Sequence, residues 1–505
     1  MNKTILELKK FQENSVSFTK DEIFKKIGDL DEKYSNDLNY CSNIDGTIAN
    51  IGHLKKDIDL ISYSIKRLNQ KLKDKKITDS FLNKFHYNLG VSITDREDIK
   101  LGYPPKIKSL INTDSYREAS KFYFKISINS KSYPSAMTNL SNILDKYSRN
   151  YESILLYDKV LENHPNFGMA LGNKALAIVY YYKLTKKNPE LLLKAIELLE
   201  KAILQKNTIQ VGGPNIIKLM KSELEKLKCS INERAIKEIL ESKEKVVSAS
   251  DELQFYKKNK LFLNLCFGCK LCEQGYRDTL YPKYVVNAQK IDEEELNKYN
   301  GFPKKIFFSF KILNQIYEDN SVARKLLWFY NNGDYVDNDV LTNYFYSLDY
   351  IKNSTQYGFL KTSFSKLYNI LDKIAYLVFY YFEKEKEIVY FSDIHCDQIK
   401  NEVIKSNNYQ FMALYSLSND FNEGGIYNNL RIIRNKITHS YLDLTENPED
   451  NSQIKDSELY KDTLKLFGIV KAALVYFVNA VNLVGKKYKD KNVQHKSIFY
   501  QKDFL

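Results

Sequence analysis

With 505 residues the chain is long enough for two to four domains with full cores, and its 43% hydrophobic and 28% charged residues are those of an ordinary globular protein. Its 76 Lys and Arg against 63 Asp and Glu leave a net charge of +13, which permits a polyanionic partner without singling one out, because Lys, Asn, Ile and Tyr are abundant together as in any A·T-rich coding sequence. The charged start, Met1 to Lys10, has no apolar signal region, and the longest apolar stretch, Ala472 to Val484, carries Asn479 and Asn482, so neither secretion nor membrane insertion is expected, and a cytoplasmic location is.

From the N-terminus the pattern is helical and weakly repetitive. Pro134 to Asn142 and Pro165 to Asn173 each open on Pro and close eight residues later on a Leu-small-Asn triplet, and the two prolines lie 31 residues apart. Phe85 to Val91, with Leu89-Gly90, fits the same block. The sequence predicts helices over 151–164, 175–184 and 191–204, the last with Ala195 and Ala202 on one face. The spacing is close to the roughly 34-residue unit of tetratricopeptide repeats, where a small residue lets two antiparallel helices approach and a Pro ends the second. A helical tetratricopeptide-like domain is therefore expected over 1–245, and such an array implies a concave surface for a protein or peptide trigger.

Residues 246–320 are broken by Gly268, Gly275, Pro282, Gly301 and Pro303 and are expected to form an irregular or mixed linker, with strand character at 284–286 and 306–310. Within it, Cys266, Cys269 and Cys272 share a two-residue spacing. A structural zinc usually needs a fourth ligand, for which Cys229 or the pair His395 and Cys396 are candidates. The simpler reading is three semi-buried thiols beside the apolar Leu261 to Leu265, so no metal and no cofactor is expected.

A helical bundle is expected over 321–490, ahead of a tail at 491–505. Its first strong element has an apolar face through Phe364, Leu367, Ile370, Leu371, Ile374, Ala375, Leu377 and Val378, and its last runs from Leu464 to Val484. Between them lies Arg431-Ile432-Ile433-Arg434-Asn435-Lys436-Ile437-Thr438-His439, followed by Ser440-Tyr441. An arginine that stays protonated holds a phosphate through a planar fork of donors, an imidazole moves protons, and an amide orients either group. Those functions suffice to cut RNA through its own 2′-hydroxyl, a nucleophile DNA lacks. Arg434 and His439 are five apart and diverge by roughly 140° on a straight helix, so a two-fold axis bringing two copies together is expected to complete the site.

The form R-N-x-x-x-H-x-Y resembles the Arg-x4-His signature of the HEPN superfamily. That resemblance implies a small helical bundle, commonly an obligate dimer with a composite metal-independent ribonuclease site. Arg434, Asn435 and His439 would be its catalytic residues, with Arg431, Lys436 and Tyr441 binding substrate. Leu261 to Asn264, Asp278-Thr279-Leu280 and Ala323-Arg324 are also similar to the connecting region of a bacterial family that joins tetratricopeptide repeats to a C-terminal HEPN domain. The chain departs from that family in having Leu263-Asn264-Leu265 where Leu-Asn-Pro is usual.

The fold class expected is thus mainly all-α, with a repeat array, a short mixed linker and a HEPN bundle. The implied function is an endoribonuclease acting on RNA as a homodimer, in anti-phage defence or toxin-like growth arrest. The alternatives are a non-catalytic scaffold whose bundle binds nucleotide or RNA, and an enzyme inert until a partner aligns it. The acidic segment Glu446 to Ser452 is expected as an exposed loop that can border the cleft.

Overall fold

Apolar side chains at three-and-four spacing make most of the described residues helical, and among them the strands are two pieces of two residues each. The computed structural model describes residues 3–230 and 302–485, except 35–36, 74–78, 103, 130–132, 186–189, 333–350 and 451. Cys266, Cys269, Cys272 and the expected strand at 284–286 lie outside the described residues.

The chain divides into two compact units, the first comprising residues 1–146 and 155–170 and the second 147–154 and 171–505. The first contains α1 (Lys3–Asn14), α2 (Lys20–Tyr34), α3 (Leu38–Lys55), α4 (Ile58–Lys71), α5 (Asp79–Leu101), α6 (Ile107–Ile111), α7 (Ser115–Asn129) and α8 (Pro134–Lys146). Leu8, Phe11, Ile23, Ile27, Leu30, Ile44, Ile48 and Leu60 meet in one core. Asp37 and Asp57 start α3 and α4 by accepting hydrogen bonds from backbone amides two and three residues on, which satisfies donors a helix start leaves open. At Gly90 on α5 a Cβ would stand 2.8 Å from the Tyr123 ring of α7, so the small residue of the Leu-Gly pair is where two helices approach.

α9 (Asn150–Asn163) carries residues of both units, and α10 (Gly168–Thr185), α11 (Glu190–Leu204) and α12 (Lys206–Ser230) follow. Gly172 on α10 faces Met220 of α12, with Ala202 of α11 beside it, so the second Leu-Gly pair also marks a close approach. The helices expected near 151–164, 175–184 and 191–204 are thus present.

The C-terminal bundle comprises α13 (Phe302–Asn331), α14 (Thr355–Tyr381), a 3-10 turn (Phe391–His395), α15 (Asp397–Ser406), α16 (Tyr409–Asn419), α17 (Asn428–His439) and α18 (Asp456–Gly485). Residues 306–310, expected as a strand, belong to α13. A short run such as Ile306-Phe307-Phe308-Ser309-Phe310, four of its five residues apolar, does not separate a strand from a buried helix, and Pro303 sits in the first turn, where its missing N–H costs no helical bond. α14 packs against α13, where the Ser363 hydroxyl donates to the Ala323 carbonyl at 2.8 Å, and against α18. α18 is long and apolar enough to cross a membrane by length and composition, but 83% of its apolar window is buried inside the protein, as befits a central bundle helix. The acidic loop 445–452 is closed by parallel pairing of β1 (Asp443–Leu444) with β2 (Gln453–Ile454).

Candidate functional site

Leu430 and Ile433 anchor α17 by their burial, while α17 also packs against α14. That contact turns Arg434 toward α14 and leaves Asn435 and His439 exposed. Arg434 Nη1 lies 3.3 Å from His439 Nε2 and donates to Asn435 Oδ1 at 3.2 Å. The three residues chosen from the motif therefore meet within one chain, contrary to the divergence expected of a straight helix. His439 is the last helical residue, and the long arginine side chain spans the remaining angle toward that end.

Three further residues hold the guanidinium. Its Cζ sits 5.5 Å from the ring centroids of both Tyr368 on α14 and Tyr390, the residue before the 3-10 turn, and Nη2 donates to Asp372 Oδ2 at 3.4 Å. Tyr368 and Asp372 are four apart on α14 and so share a face. Asp372 Oδ1 accepts the Phe391 amide at 2.8 Å, and Asp393 accepts the Tyr390 amide at 2.7 Å. Arg434 Nε is buried with no hydrogen-bond partner, at a cost of about 1–3 kcal/mol.

A guanidinium only donates, so the Arg434 contact requires a lone pair on His439 Nε2 and puts the ring proton of neutral His439 on Nδ1. The other expected substrate binders surround this centre less tightly. Arg431 donates through Nε and Nη2 to Asn428 Oδ1 at 3.3 and 3.0 Å, and its charge acts on Tyr368. Lys436 is half-buried, and its charge helps to hold the Asp450 carboxyl of the acidic loop below the usual range, after the hydrogen bonds from Ser452. Tyr441 is 63% exposed just past the helix. Among the described residues no group of three or more His, Cys, Asp or Glu side chains is arranged to hold a metal ion.

Asp372, Tyr368 and Tyr390 escape sequence reasoning. The one signal available is a lone carboxylate among the apolar residues of α14, with tyrosines four residues before and after it; Tyr390 gives none.

Burial pushes the Asp372 carboxyl up to about 6, outweighing the Phe391 amide and the Arg434 cation, which favour its charge, with Asp393 adding to the rise. Because the folded pKa lies above the unfolded one, this residue's contribution to stability is complete below about pH 4 and is lost as pH rises through about 6. Asp372→Asn, which cannot titrate, should gain about 1–3 kcal/mol on the parent between pH 4 and 7. Thermal midpoints of both proteins at the two ends of that range measure it.

Residues 302–484 match the family model for LA2681-like HEPN domains. The C-terminal bundle is accordingly a HEPN-type domain, of a superfamily in which ribonuclease activity is common. No curated protein and no solved structure matches the chain.

Proposed function

We propose that this protein is a metal-independent endoribonuclease, and the observation that carries the reading is the Arg434–His439 contact inside an Arg-x4-His motif on a HEPN-type bundle. Neutral His439 takes the proton of the RNA 2′-hydroxyl as that oxygen attacks the adjacent phosphorus. The 5′-oxygen leaves with the proton returned by the His439 imidazolium, directly or through water, giving a 2′,3′-cyclic phosphate and a 5′-hydroxyl and restoring neutral His439. Arg434, with Arg431 and Lys436 nearby in sequence, offsets the charge that builds on the phosphoryl oxygens, and Asn435 orients the arginine. Two copies related by a two-fold axis would place two such centres along one cleft, as the family resemblance implies. The helical array, read as tetratricopeptide-like because Gly90 and Gly172 mark close helix approaches, would bind a protein or peptide cue. A ribonuclease under such control suits anti-phage defence or toxin-like growth arrest in the cytoplasm.

One observation favours the rival scaffold reading: most of the Arg434 donors are already engaged, as in a structural arginine. Incubating the purified chain with total RNA in EDTA, with the fragment ends mapped, separates the two. Fragments ending in 2′,3′-cyclic phosphate are expected. Intact RNA at every protein concentration, with and without lysate from phage-infected cells, would leave the scaffold.

A further inference from the structure

The Arg434 guanidinium has five N–H bonds, and the arrangement leaves few of them to chance. Nε is buried, Nη1 faces Asn435 and His439, and Nη2 faces Asp372. Tyrosine rings lie near the guanidinium at equal distances of 5.5 Å, one on α14 and one on the segment after it. A side chain fixed on so many sides has one orientation, and the nitrogen it offers to His439 is therefore fixed too.

We propose that Asp372 is a positioning residue of this site: one carboxylate oxygen fixes the Arg434 guanidinium, the other fixes the Phe391 amide and with it Tyr390, and the clamped arginine fixes the tautomer of His439. The inference rests on the ribonuclease reading for its bearing on catalysis, but not for its geometry. Asp372 is 62 residues from Arg434 in sequence and does not touch His439; its influence passes through the guanidinium. Its two oxygens divide the work. Oδ1 receives a well-formed bond of 2.8 Å from the Phe391 amide, which pins the segment carrying Tyr390. Oδ2 is left for the arginine. The side chain is 16% exposed and that of Arg434 12%, so water competes little for either. An imidazole free in water carries its proton mainly on Nε2. Holding it on Nδ1 leaves Nε2 as the basic nitrogen beside the phosphate-binding cation, ready to take the 2′-hydroxyl proton once that hydroxyl replaces the Arg434 N–H on its lone pair.

The test uses the full chain with 15N-labelled histidine. It contains six histidines, so the His439 signals are assigned by their absence from His439→Gln. At about pH 8, above the usual imidazole range, the parent should show a protonated Nδ1 and a lone-pair Nε2 at His439. Asp372→Asn keeps an acceptor for the Phe391 amide but loses the charge that holds Arg434, and it should return His439 to the Nε2-protonated or averaged form. Against RNA its kcat should fall about 10- to 100-fold, with KM within about two-fold. An unchanged tautomer in Asp372→Asn, or Nε2 protonation in the parent, would overturn the proposal. As a second variant, Tyr390→Leu removes one aromatic contact of the guanidinium and is expected to give the same loss of tautomer; an unchanged tautomer there counts equally against the proposal. A tautomer lost as expected in a protein that never cuts RNA would refute the ribonuclease reading alone.

Discussion

His439→Ala should lower RNA cleavage by about 10³-fold while leaving the thermal midpoint almost unchanged. The size follows from general acid–base catalysis, which contributes about 10²–10⁴-fold where a positioned imidazole moves the proton. The unchanged midpoint follows from exposure: His439 lies at the solvent end of α17, and surface substitutions of this kind fall within about 0.5 kcal/mol. Arg434→Lys should be nearly as inactive, though charge is conserved. A lysine ammonium is a point charge without the planar fork, so it cannot lie against the Tyr368 and Tyr390 rings while reaching Asp372 and His439 together. Single-turnover cleavage of a labelled RNA by the three proteins, with melting curves alongside, measures both effects. A His439→Ala protein that cuts as the parent does would remove the imidazole from the mechanism.

Arg149→Met should destabilise the second unit by about 3–5 kcal/mol, the scale expected when one partner of a buried ion pair is removed. The Arg149 side chain is 2% exposed, and it meets two carboxylates that are each 7% exposed. Nε and Nη2 form a fork onto Glu152 at 2.8 and 2.7 Å, and Nη1 reaches Asp420 at 2.6 Å. The hydroxyls of Tyr427 and Tyr476 donate to Glu152 at 3.3 and 3.1 Å, completing its shell. Without the cation, two neighbouring carboxylates would be buried with nothing between them, and one must take up a proton or reach water. Denaturant unfolding followed through the C-terminal bundle gives the loss directly. Tyr427→Phe, which removes one neutral donor, should cost only about 1 kcal/mol.

The same cluster bears on the site. The Asp420 carbonyl accepts the Tyr427 amide at 2.9 Å, closing the turn that leads into α17, and a Cβ on Gly425 would stand 2.2 Å from that carbonyl. Arg149→Met is therefore expected to slow cleavage as well, by loosening the first turn of the helix that carries Arg434 and His439.

What could be read from the chain alone divides along the range of each interaction. Local signals served well: the three-and-four face of α14, the Leu-Gly pairs at close helix approaches, and the Arg-Asn-His grouping on α17 all lie within a few turns of one helix. Groups brought from afar stayed hidden. Asp372 and Tyr390 reach Arg434 across separate elements, and Arg149 reaches Asp420 over 271 residues, with no spacing rule to join them. The geometry of Arg434 and His439 was missed for a different reason. Angles on an ideal helix describe where Cβ atoms point, whereas an arginine has several more bonds with which to turn. The strand expected at 306–310 failed because a short apolar run has no period to read.

Residues 147–154 belong to the second unit, yet the chain on either side of them, 1–146 and 155–170, belongs to the first. A single cut that keeps the second unit whole, between 146 and 147, must therefore carry 155–170 of the first along with it. A fragment beginning at 171 would carry Asp420, Tyr427 and Tyr476 but neither Arg149 nor Glu152, and would expose to water a surface shaped around them. Recombination faces the same constraint: a gene that exchanged the stretch up to 170 as a cassette would also replace the eight residues 147–154, whose Arg149 and Glu152 pair with Asp420, Tyr427 and Tyr476, so the two stretches are bound to change together.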